Sequence, residues 1–403
     1  MVLYDICIVG AGLWGSSAAR HASKPGRKVC LIGPTEPSQE DRRFCEIFAS
    51  HYDAARAVRK YQGSHHLRSL MTMRTFKALT ELEATAGIKL SGELGHIMFG
   101  NNIDSVAVPL AKTEGVLLTA EGVRERYPFL DVSQYGDSAM LFVANAGHAN
   151  PRMIVRAQQQ IAAHQGCDII EDVVEAVQES LEHGQGEPLL QLLTKKGRRL
   201  SAKKVLLCTG AFTQLKNLLP PSKKLDLGID GTFVVKLEVG ESDLEKLRAM
   251  PTMTSFTDPE WNCYIIPPVR YPDGKYYLKL GPGYQDQRRL NTLKEVKDWF
   301  LSQPDPKLVA KYRDLLLSIV KDFTPVSVQA DMCVCTRTRT ELPYCDMLSP
   351  RLGLAVGGYG YGAMLSDEVG RMAARMIAGE ENWSQGIPEE ALRARFIQTT
   401  CSL

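Results

Sequence analysis

The glycines near the start of the chain have a spacing that suits the binding of a dinucleotide. Gly10, Gly12 and Gly15 form a GxGxxG pattern directly after the apolar run 4–9. The first glycine of such a pattern makes a tight turn, the second lets the backbone approach a pyrophosphate, and the third lets a helix pack on a strand. The start of that helix offers unpaired N–H groups and partial positive charge to the phosphates. The spacing predicts a dinucleotide cofactor, with an ordinary glycine turn as the alternative.

The acidic residue that usually binds the ribose of such a cofactor is missing from its expected place. The second strand is predicted to end near position 33, where the sequence reads Gly33-Pro34. We expect Glu36 to reach the ribose, or the backbone and water to take its place. No arginine replaces the acid at position 33, so the sequence does not indicate NADP.

Three basic residues could bind or stabilise negative charge. Lys279 stands alone in the apolar run 277–280, where a buried ammonium group needs a partner, although strand alternation could equally turn it to solvent. Arg56 and Arg59 lie three apart in a segment that we predict to be helical, so they would occupy neighbouring faces. The planar fork of an arginine can bind a carboxylate through two hydrogen bonds, and the alternative is that both residues are solvated charges.

Two further stretches contain residues that could approach a cofactor. Cys333 and Cys335 are two apart, which is not the CxxC spacing of a zinc or redox site, and we predict no metal site. The glycine-rich stretch 357–362 precedes a predicted helix, so its bare backbone could lie against a ligand. A small buried cysteine and a flexible loop are the alternatives.

The composition of the chain restricts the class of protein. The length of 403 residues favours two domains, with three as the alternative. The formal net charge of +2 argues against a nucleic-acid-binding protein. No apolar run is long enough for a membrane helix, and we expect no signal peptide. Several of the ten cysteines stand inside apolar strand-like runs, so we interpret most of them as reduced core residues of an intracellular protein.

The order of the predicted elements indicates an α/β protein. Strands are predicted at 4–9, 28–32, 167–177, 189–193, 203–208 and 352–356, and helices at 13–23, 54–86, 151–165 and 366–378. Between positions 219 and 320 the sequence is rich in strand and turn signals. We predict a Rossmann-like domain from the segments 1–80, 150–218 and 320–403, and a β-rich substrate domain with a mixed or antiparallel sheet from 81–149 and 219–319.

Six stretches together resemble the FAD-dependent amine oxidases of the monomeric sarcosine oxidase type, within the D-amino-acid oxidase superfamily. Beyond the GxGxxG turn, the matching stretches are 50–59 (SHYDAARAVR), 95–100 (GHIMFG), 209–212 (TGAF), 278–281 (LKLG), 333–338 (CVCTRT) and 357–364 (GGYGYGAM). This group includes oxidases of sarcosine, N-methyltryptophan, pipecolate, saccharopine and fructosyl amino acids. The matches follow one another in order across nearly the whole chain.

The resemblance implies that the chain binds FAD and assigns roles to its residues. Cys333 would attach the flavin covalently, with Cys335 as the alternative. Lys279 would lie over the flavin ring and activate O2, and Arg59 would hold the substrate carboxylate. The implied FAD-binding residues are Gly10, Gly12, Leu13, Trp14, Gly15, Glu36, Ser50, His51, Arg56, Val174, Thr209, Gly210, Cys333, Gly358, Gly360, Tyr361, Gly362 and Met364. The implied catalytic residues are Lys279, Arg59, Tyr361 and Met364.

The sequence departs from this family at two positions in the C-terminal glycine stretch. Tyr361 replaces the usual histidine, and Met364 replaces a lysine that helps to bind the carboxylate. We therefore expect either a larger substrate that is more apolar near Met364 or a contribution from another basic group such as Arg337.

The resemblance implies an oxidase that acts on the C–N bond of a secondary or N-alkylated amino acid. The expected products are an imine, which water hydrolyses, and H2O2 from O2. The alternatives are a dehydrogenase with a different electron acceptor, a D-amino-acid oxidase-like deaminase, and a flavin-binding protein without activity. We expect a monomer in the cytosol with no nucleic-acid or membrane partner. The C-terminal residues Cys401-Ser402-Leu403 faintly resemble a peroxisomal signal.

Overall fold

A computed structural model describes residues 2–60, 62, 65–100, 115–135, 140–180, 188–216, 218–255 and 262–397. The predicted signal at 401–403 lies outside these residues. Within the described part of the chain, no helix is long and apolar enough to cross a membrane.

An eight-stranded sheet forms the first half of the fold. Its strands are β1 (Leu3–Val9), β2 (Val29–Gly33), β9 (Asp168–Glu171), β10 (Val174–Ser180), β11 (Leu189–Thr194), β12 (Arg199–Leu207), β19 (Tyr344–Met347) and β20 (Leu352–Val356). The order is β10-β11-β12-β1-β2-β9, and β20 pairs with β12 and β19. The strands β12, β1, β2 and β9 run parallel to one another. The central strands are buried on both faces, which explains their continuous apolar sequences.

Four helices pack around this sheet: α1 (Leu13–Ala22), α2 (His66–Ala86), α4 (Pro151–His164) and α8 (Ser366–Ala378). Pro151 occupies the first turn of its helix, where the side chain of Asn150 accepts a hydrogen bond from the N–H of Met153. Gly87 ends α2 in the left-handed conformation. Gly370 brings α8 close to α1, because a Cβ atom there would lie 2.4 Å from that of Ser17.

A nine-stranded sheet forms the second half. Its strands are β5 (His96–Phe99), β6 (Gly115–Leu118), β7 (Met140–Val143), β13 (Leu227–Glu238), β14 (Thr252–Ser255), β15 (Cys263–Arg270), β16 (Tyr276–Pro282), β17 (Arg288–Arg289) and β18 (Val328–Thr338). The order is β17-β13-β16-β15-β14-β5-β7-β6, and β18 pairs with β13. The helices in this half are α3 (Ala120–Arg126), α5 (Glu241–Leu247), α6 (Leu293–Leu301) and α7 (Pro306–Ile319).

The two faces of this second sheet differ in character. One face packs into an apolar core that includes Ile97, Met253, Ile265, Leu278 and Val235. Side chains alternate between the faces of a strand, so the neighbouring positions along these strands lie on the opposite face. Several of those positions line the cavity described below.

A short three-stranded sheet corrects one prediction. Its strands are β3 (Arg56–Arg59), β8 (Ala146–Ala149) and β4 (Ser91–Gly92), in the order β3-β8-β4. The predicted helix over 54–86 is therefore wrong at its start, since the helix begins at His66. Residues 56–59 instead pair with β8, about 90 positions away. Local helical periodicity cannot reveal such a pairing.

The strand predicted at 167–177 is also wrong, because residues 172 and 173 divide it into β9 and β10, which lie at opposite ends of the strand order. The other predicted elements agree with the structure to within a few residues, and the α/β fold with a separate β-rich sheet is confirmed. The segment 219–320 also contains the three helices α5, α6 and α7, which its strand and turn signals did not indicate. The segment 320–403 contributes β18 to the nine-stranded sheet and β19 and β20 to the eight-stranded sheet. The predicted division into two domains stays a prediction.

Candidate active site

A cavity opens at the carboxyl ends of β1 and β2, and we call it the glycine-turn cavity. Its wall includes Gly10, Gly12, Gly33, Cys208 and Val356. Bare backbone packs closely here: a Cβ atom on Gly10 would lie 2.4 Å from the carbonyl oxygen of Cys208, and one on Gly33 would lie 2.5 Å from the nitrogen of Ala11. Gly10 also has a φ of +107°. These positions require glycine, as the GxGxxG pattern predicts.

The start of α1 is suited to phosphate groups. Gly12 is its N-cap, with no side-chain hydrogen bond to the first turn and no acidic residue there. Gly15 lets α1 approach the turn, because a Cβ atom there would lie 1.8 Å from the carbonyl oxygen of Gly10. The free N–H groups and the partial positive charge of the helix start are therefore available to an anion.

A buried histidine on the wall of this cavity has an unused polar atom. His51 is 7% exposed, and its Nδ1 has no hydrogen-bond partner among the described residues. Burial, together with the nearby charge of Arg152, lowers the pKa of His51 to about 3. The neutral ring can donate or accept one hydrogen bond, so a ligand in the cavity would satisfy it.

Glu36 does not lie on the cavity wall. Its two carboxylate oxygens accept hydrogen bonds of 2.7 Å each from Arg152, on α4. Gly33 and Pro34 line the cavity at the end of β2 instead. The predicted contact of Glu36 with a ribose therefore has no support from this arrangement.

The other residues predicted to contact the adenosine and pyrophosphate line the same cavity. They are Leu13, Trp14, Ser50, Val174, Thr209 and Gly210. The indole nitrogen of Trp14 donates a hydrogen bond of 2.8 Å to the carbonyl oxygen of Gly362, which joins α1 to the C-terminal glycine stretch. Gly358 and Gly362 also line a second cavity, so the two cavities are adjacent.

We call this second cavity the tyrosine cavity, because four tyrosines line it: Tyr264, Tyr284, Tyr359 and Tyr361. Its other wall residues include Arg56, Arg59, Arg337, Cys333, Cys335, Thr254, Gly360 and Met364. One wall is the polar face of the nine-stranded sheet. Gly281 leaves space for the ring of Tyr264, since a Cβ atom on Gly281 would lie 2.2 Å from that ring. No aspartate or glutamate is among the described residues that line this cavity.

Asp53 joins Lys279 and Arg56 behind the cavity wall. Lys279 is 1% exposed, and its ammonium group donates to the Asp53 carboxylate at 2.8 Å and to the carbonyl oxygen of Ala55. The guanidinium of Arg56 also pairs with Asp53, and the hydroxyl of Tyr271 donates to it at 2.8 Å. Burial opposes ionisation of Asp53, but these two cations hold its pKa well below the ordinary value. The cluster carries more positive than negative charge.

Burial also changes the charge state of the lysine in this cluster. It lowers the pKa of Lys279 to about 8, although Asp53 opposes the shift. Lys279 is not among the residues that line the tyrosine cavity. Its ammonium group is held by Asp53 and Ala55, and Asp53 also pairs with Arg56 of the cavity wall.

Arg59 is the basic residue of the cavity wall that has no acidic partner among the described residues. Its guanidinium lies near Tyr361, Tyr284 and Arg68, and burial lowers its pKa. Arg337 differs, because its Nε donates to Asp230 at 2.6 Å. An unpaired, partly buried guanidinium is a suitable group for binding a carboxylate.

Two tyrosine rings enclose the guanidinium of Arg337. Its carbon lies 4.2 Å from the ring centroid of Tyr284 and 5.0 Å from that of Tyr359. A second hydrogen bond joins it to Gln287. Asp230 also pairs with Arg289 at 3.0 Å, so it offsets the charge of Arg337 only in part, and the predicted help of Arg337 in binding a carboxylate stays a prediction.

The C-terminal glycine stretch positions two tyrosines on the cavity wall. Tyr359 adopts a φ of +49°, an uncommon conformation for a tyrosine, and its N–H donates to the carbonyl oxygen of Thr336 at 2.8 Å. The ring of Tyr361 stacks on the guanidinium of Arg68 at 4.2 Å. The sulfur of Met364 accepts a hydrogen bond of 3.3 Å from Nε2 of Gln62.

Both candidate cysteines lie on the same face of β18, because they are two residues apart. The sulfur of Cys333 is 3.5 Å from Nη2 of Arg56. Burial raises the pKa of Cys335 to about 12.

Several residues at this site were not identified from the sequence. Asp53 lies in the stretch 50–59 that matches the family, but no local pattern indicates that it pairs with Lys279, more than 220 positions away. Arg68 and Arg152 gave no signal beyond ordinary helix composition. The tyrosines 264 and 284 occur in a strand and a loop whose sequences carry no motif. No group of three or more potential metal ligands occurs among the residues described.

The shape and chemistry of the two cavities fit FAD. The close glycine backbone, the uncapped start of α1 and the unpartnered Nδ1 of His51 suit the dinucleotide part. The adjoining tyrosine cavity, with the glycine stretch and Cys333 on its walls, suits a ring system and a small anionic substrate.

Comparison with known proteins agrees with this fit. The model of a family described as FAD dependent oxidoreductase matches residues 5–376. A monomeric sarcosine oxidase of Streptomyces avermitilis is 25% identical over 173 residues, which cover 41% of this chain and 42% of that protein. The match thus spans less than half the length of that curated relative. A probable sarcosine oxidase of Arabidopsis thaliana is 24% identical, with 95% of this chain and 90% of that protein covered.

Solved structures show the same fold. The open form of NikD, described as an unusual amino acid oxidase essential for nikkomycin biosynthesis, superposes with a TM-score of 0.78. It is 16% identical, and the superposition covers 99% of both chains.

Proposed function

The chain belongs to the family of FAD dependent oxidoreductases, and on this premise we propose that it oxidises the C–N bond of a secondary or N-alkylated amino acid. The observation that carries the proposal is Arg59, a guanidinium on the wall of the tyrosine cavity with no acidic partner among the described residues. A substrate carboxylate would provide the missing partner.

The proposed reaction removes two electrons and two protons from the substrate. The C–H bond next to nitrogen breaks, the C–N bond becomes an imine, and water hydrolyses the imine to an amine and a carbonyl compound. O2 takes up the two electrons and two protons and becomes H2O2. FAD, when bound, supplies the two-electron carrier for this exchange.

The protein supplies binding and orientation. Gly10, Gly12, the start of α1 and His51 would hold the dinucleotide part of FAD. Arg59 would bind the carboxylate and so fix the carbon next to nitrogen relative to the flavin ring. No carboxylate lines the described wall of the tyrosine cavity, and no general base is needed for an amine that binds in its neutral form.

The cluster of Asp53, Arg56 and Lys279 would hold positive charge behind the flavin. Two cations share one carboxylate there, so the cluster keeps a net positive charge while Lys279 is protonated. A fixed charge of this kind stabilises negative charge that develops on oxygen as O2 is reduced. The resemblance implies that a water bridges Lys279 to the flavin ring, and that contact stays a prediction.

We propose Cys333 as the covalent attachment point of the flavin. Its sulfur lies on the wall of the tyrosine cavity, 3.5 Å from Nη2 of Arg56. Cys335 lies on the same wall, but burial raises its pKa to about 12 and so disfavours reaction there.

A dehydrogenase that uses an acceptor other than O2 is the second candidate. The observation that favours it is the ammonium group of Lys279, which is engaged by Asp53 and Ala55 and does not reach the cavity wall. The two candidates differ in whether O2 accepts the electrons from the reduced flavin.

The test is to mix purified holoenzyme with N-methylglycine, pipecolate and N-methyltryptophan in air. An oxidase consumes O2 and releases one equivalent of H2O2 for each amine oxidised. A dehydrogenase oxidises the amine only when an artificial electron acceptor is present. Absence of amine oxidation under both conditions would contradict the proposed reaction.

A further inference from the structure

A chain of hydrogen bonds through His96 ends at the wall of the tyrosine cavity. His96 on β5 is fully buried, and the register of the parallel pair places it opposite Thr252 on β14. Nδ1 of His96 lies 2.8 Å from the hydroxyl of Thr252, and Nε2 lies 3.1 Å from the hydroxyl of Thr254. Thr254 is two residues beyond Thr252, on the same face of the strand.

The directions of these hydrogen bonds follow from one carbonyl group. The hydroxyl of Thr252 donates to the carbonyl oxygen of Gly95 at 3.1 Å, so its single proton is engaged. We therefore assign the ring proton of His96 to Nδ1, from which it donates to Thr252. Burial, with the nearby guanidinium of Arg59, holds the pKa of His96 well below its ordinary value, so the ring is neutral and Nε2 is an acceptor.

Thr254 therefore has its proton directed away from the cavity. Its hydroxyl must donate to Nε2 of His96, because that nitrogen has no proton of its own. The lone pairs of the hydroxyl oxygen remain, and Thr254 lines the tyrosine cavity together with Arg59. The cavity thus contains an oriented hydrogen-bond acceptor that carries no charge.

We propose that Thr254 accepts a hydrogen bond from the amine N–H of the substrate, and that His96 is the positioning residue that orients it. This inference rests on the proposed function, in which Arg59 binds the carboxylate of the same substrate. The head of an amino acid needs donors for its carboxylate and an acceptor for its N–H. Arg59 and Thr254 provide this pair.

An uncharged acceptor also selects the protonation state of the amine. The described wall has no carboxylate, and Arg59 adds positive charge, so an ammonium group gains little Coulomb stabilisation here. A neutral amine can still donate its N–H to Thr254. Its lone pair then remains free for formation of the C=N bond when the neighbouring C–H bond breaks.

Two planar acids of nearly equal shape test this inference. Pyrrole-2-carboxylate has an N–H next to the carbon that bears the carboxylate, and furan-2-carboxylate has an oxygen there. Their dissociation constants are measured with purified holoenzyme, from the change in the flavin absorbance spectrum. We expect the wild type to bind the pyrrole acid more tightly, because the furan oxygen faces the lone pairs of Thr254.

Two variants of nearly equal size separate the hydroxyl from the volume of the side chain. T254V removes the hydroxyl and should raise the dissociation constant of pyrrole-2-carboxylate about tenfold. The dissociation constant of furan-2-carboxylate should change less than twofold. T254S keeps the hydroxyl and should keep the preference for the pyrrole acid. If T254V weakens both acids equally, or neither, the assignment of Thr254 is wrong.

The variant R59Q distinguishes the inference from the proposed function. If R59Q weakens the binding of both acids while T254V leaves the ratio of their dissociation constants unchanged, the carboxylate site is supported and the role of Thr254 is wrong. If R59Q weakens neither acid, or if neither acid binds the wild type, the carboxylate site fails and the role of Thr254 fails with it. Nitrogen NMR of histidine-labelled enzyme gives an independent readout, since His96 should carry its proton on Nδ1. A proton on Nε2 would overturn the assignment.

Discussion

Replacement of Arg59 by alanine should remove affinity for carboxylated substrates and leave uncarboxylated amines almost unaffected. A hydrogen bond to a charged group contributes about 1.5–3 kcal/mol, and each 1.4 kcal/mol changes an affinity by about tenfold. The guanidinium of Arg59 has no acidic partner among the described residues that would take over its charge. We therefore expect R59A to lower kcat/KM for a carboxylated amine by about ten- to hundredfold.

The assay compares pipecolate with piperidine, which differ only in the carboxylate. Steady-state kcat/KM is measured for both amines with the wild type, R59A and R59K. R59K should retain part of the preference, since lysine keeps the charge but loses the planar pair of donors. Arg124 gives a matched control, because R124A removes an exposed guanidinium that lines neither cavity. Equal losses for pipecolate and piperidine in R59A would refute the assignment.

Three further outcomes test the remaining assignments. C333S should release the flavin into the supernatant on acid precipitation, whereas C335S should keep it in the pellet; the reverse pattern would move the attachment to Cys335. Reoxidation of the reduced enzyme by O2 should slow as the pH rises through about 8, because Lys279 is protonated below that pH and loses its charge above it. In K279M this pH dependence should disappear while anaerobic reduction by substrate changes little, and a persistent pH dependence would implicate another group. M364K should shift kcat/KM towards N-methylglycine and away from N-methyltryptophan, since it adds a positive charge and narrows the tyrosine cavity; an unchanged ratio would show that Met364 does not limit substrate size.

The elements with strong local signals could be predicted from the sequence. The strand at 352–356 and the helix at 366–378 agree with the structure residue by residue, because an apolar run and an amphipathic period identify them. The glycine turn at positions 10–15 could also be predicted. Its role depends on backbone conformation and close approach, which glycine spacing reports directly.

The elements that depend on distant pairing could not be predicted. Residues 56–59 have no local strand signal, and β8 alone makes them a strand. The resemblance suggested the carboxylate role of Arg59, but it could not show that Arg337 is paired with Asp230 while Arg59 has no acidic partner among the described residues. Arg337 and Asp230 lie on the neighbouring strands β18 and β13 but are 107 positions apart in the chain, and a single sequence contains no record of their contact.

The same limit applies to Glu36 and Lys279. Each of these residues forms an ion pair within the protein. The partner expected in each case was a ligand, whereas the structure provides Arg152 and Asp53. The chemistry of a side chain can be inferred from its type, but its partner depends on the tertiary fold.

The central claim is that the protein oxidises a carboxylated secondary amine bound in the tyrosine cavity. Anaerobic reduction of the flavin tests this claim most directly. Purified holoenzyme is mixed without oxygen with N-methylglycine, pipecolate or N-methyltryptophan, and the absorbance of the oxidised flavin is followed over time. We predict that at least one of these acids bleaches the flavin. The amine that lacks only the carboxylate should bleach it at a far lower rate. A flavin that dithionite bleaches but that none of the three acids reduces would contradict it.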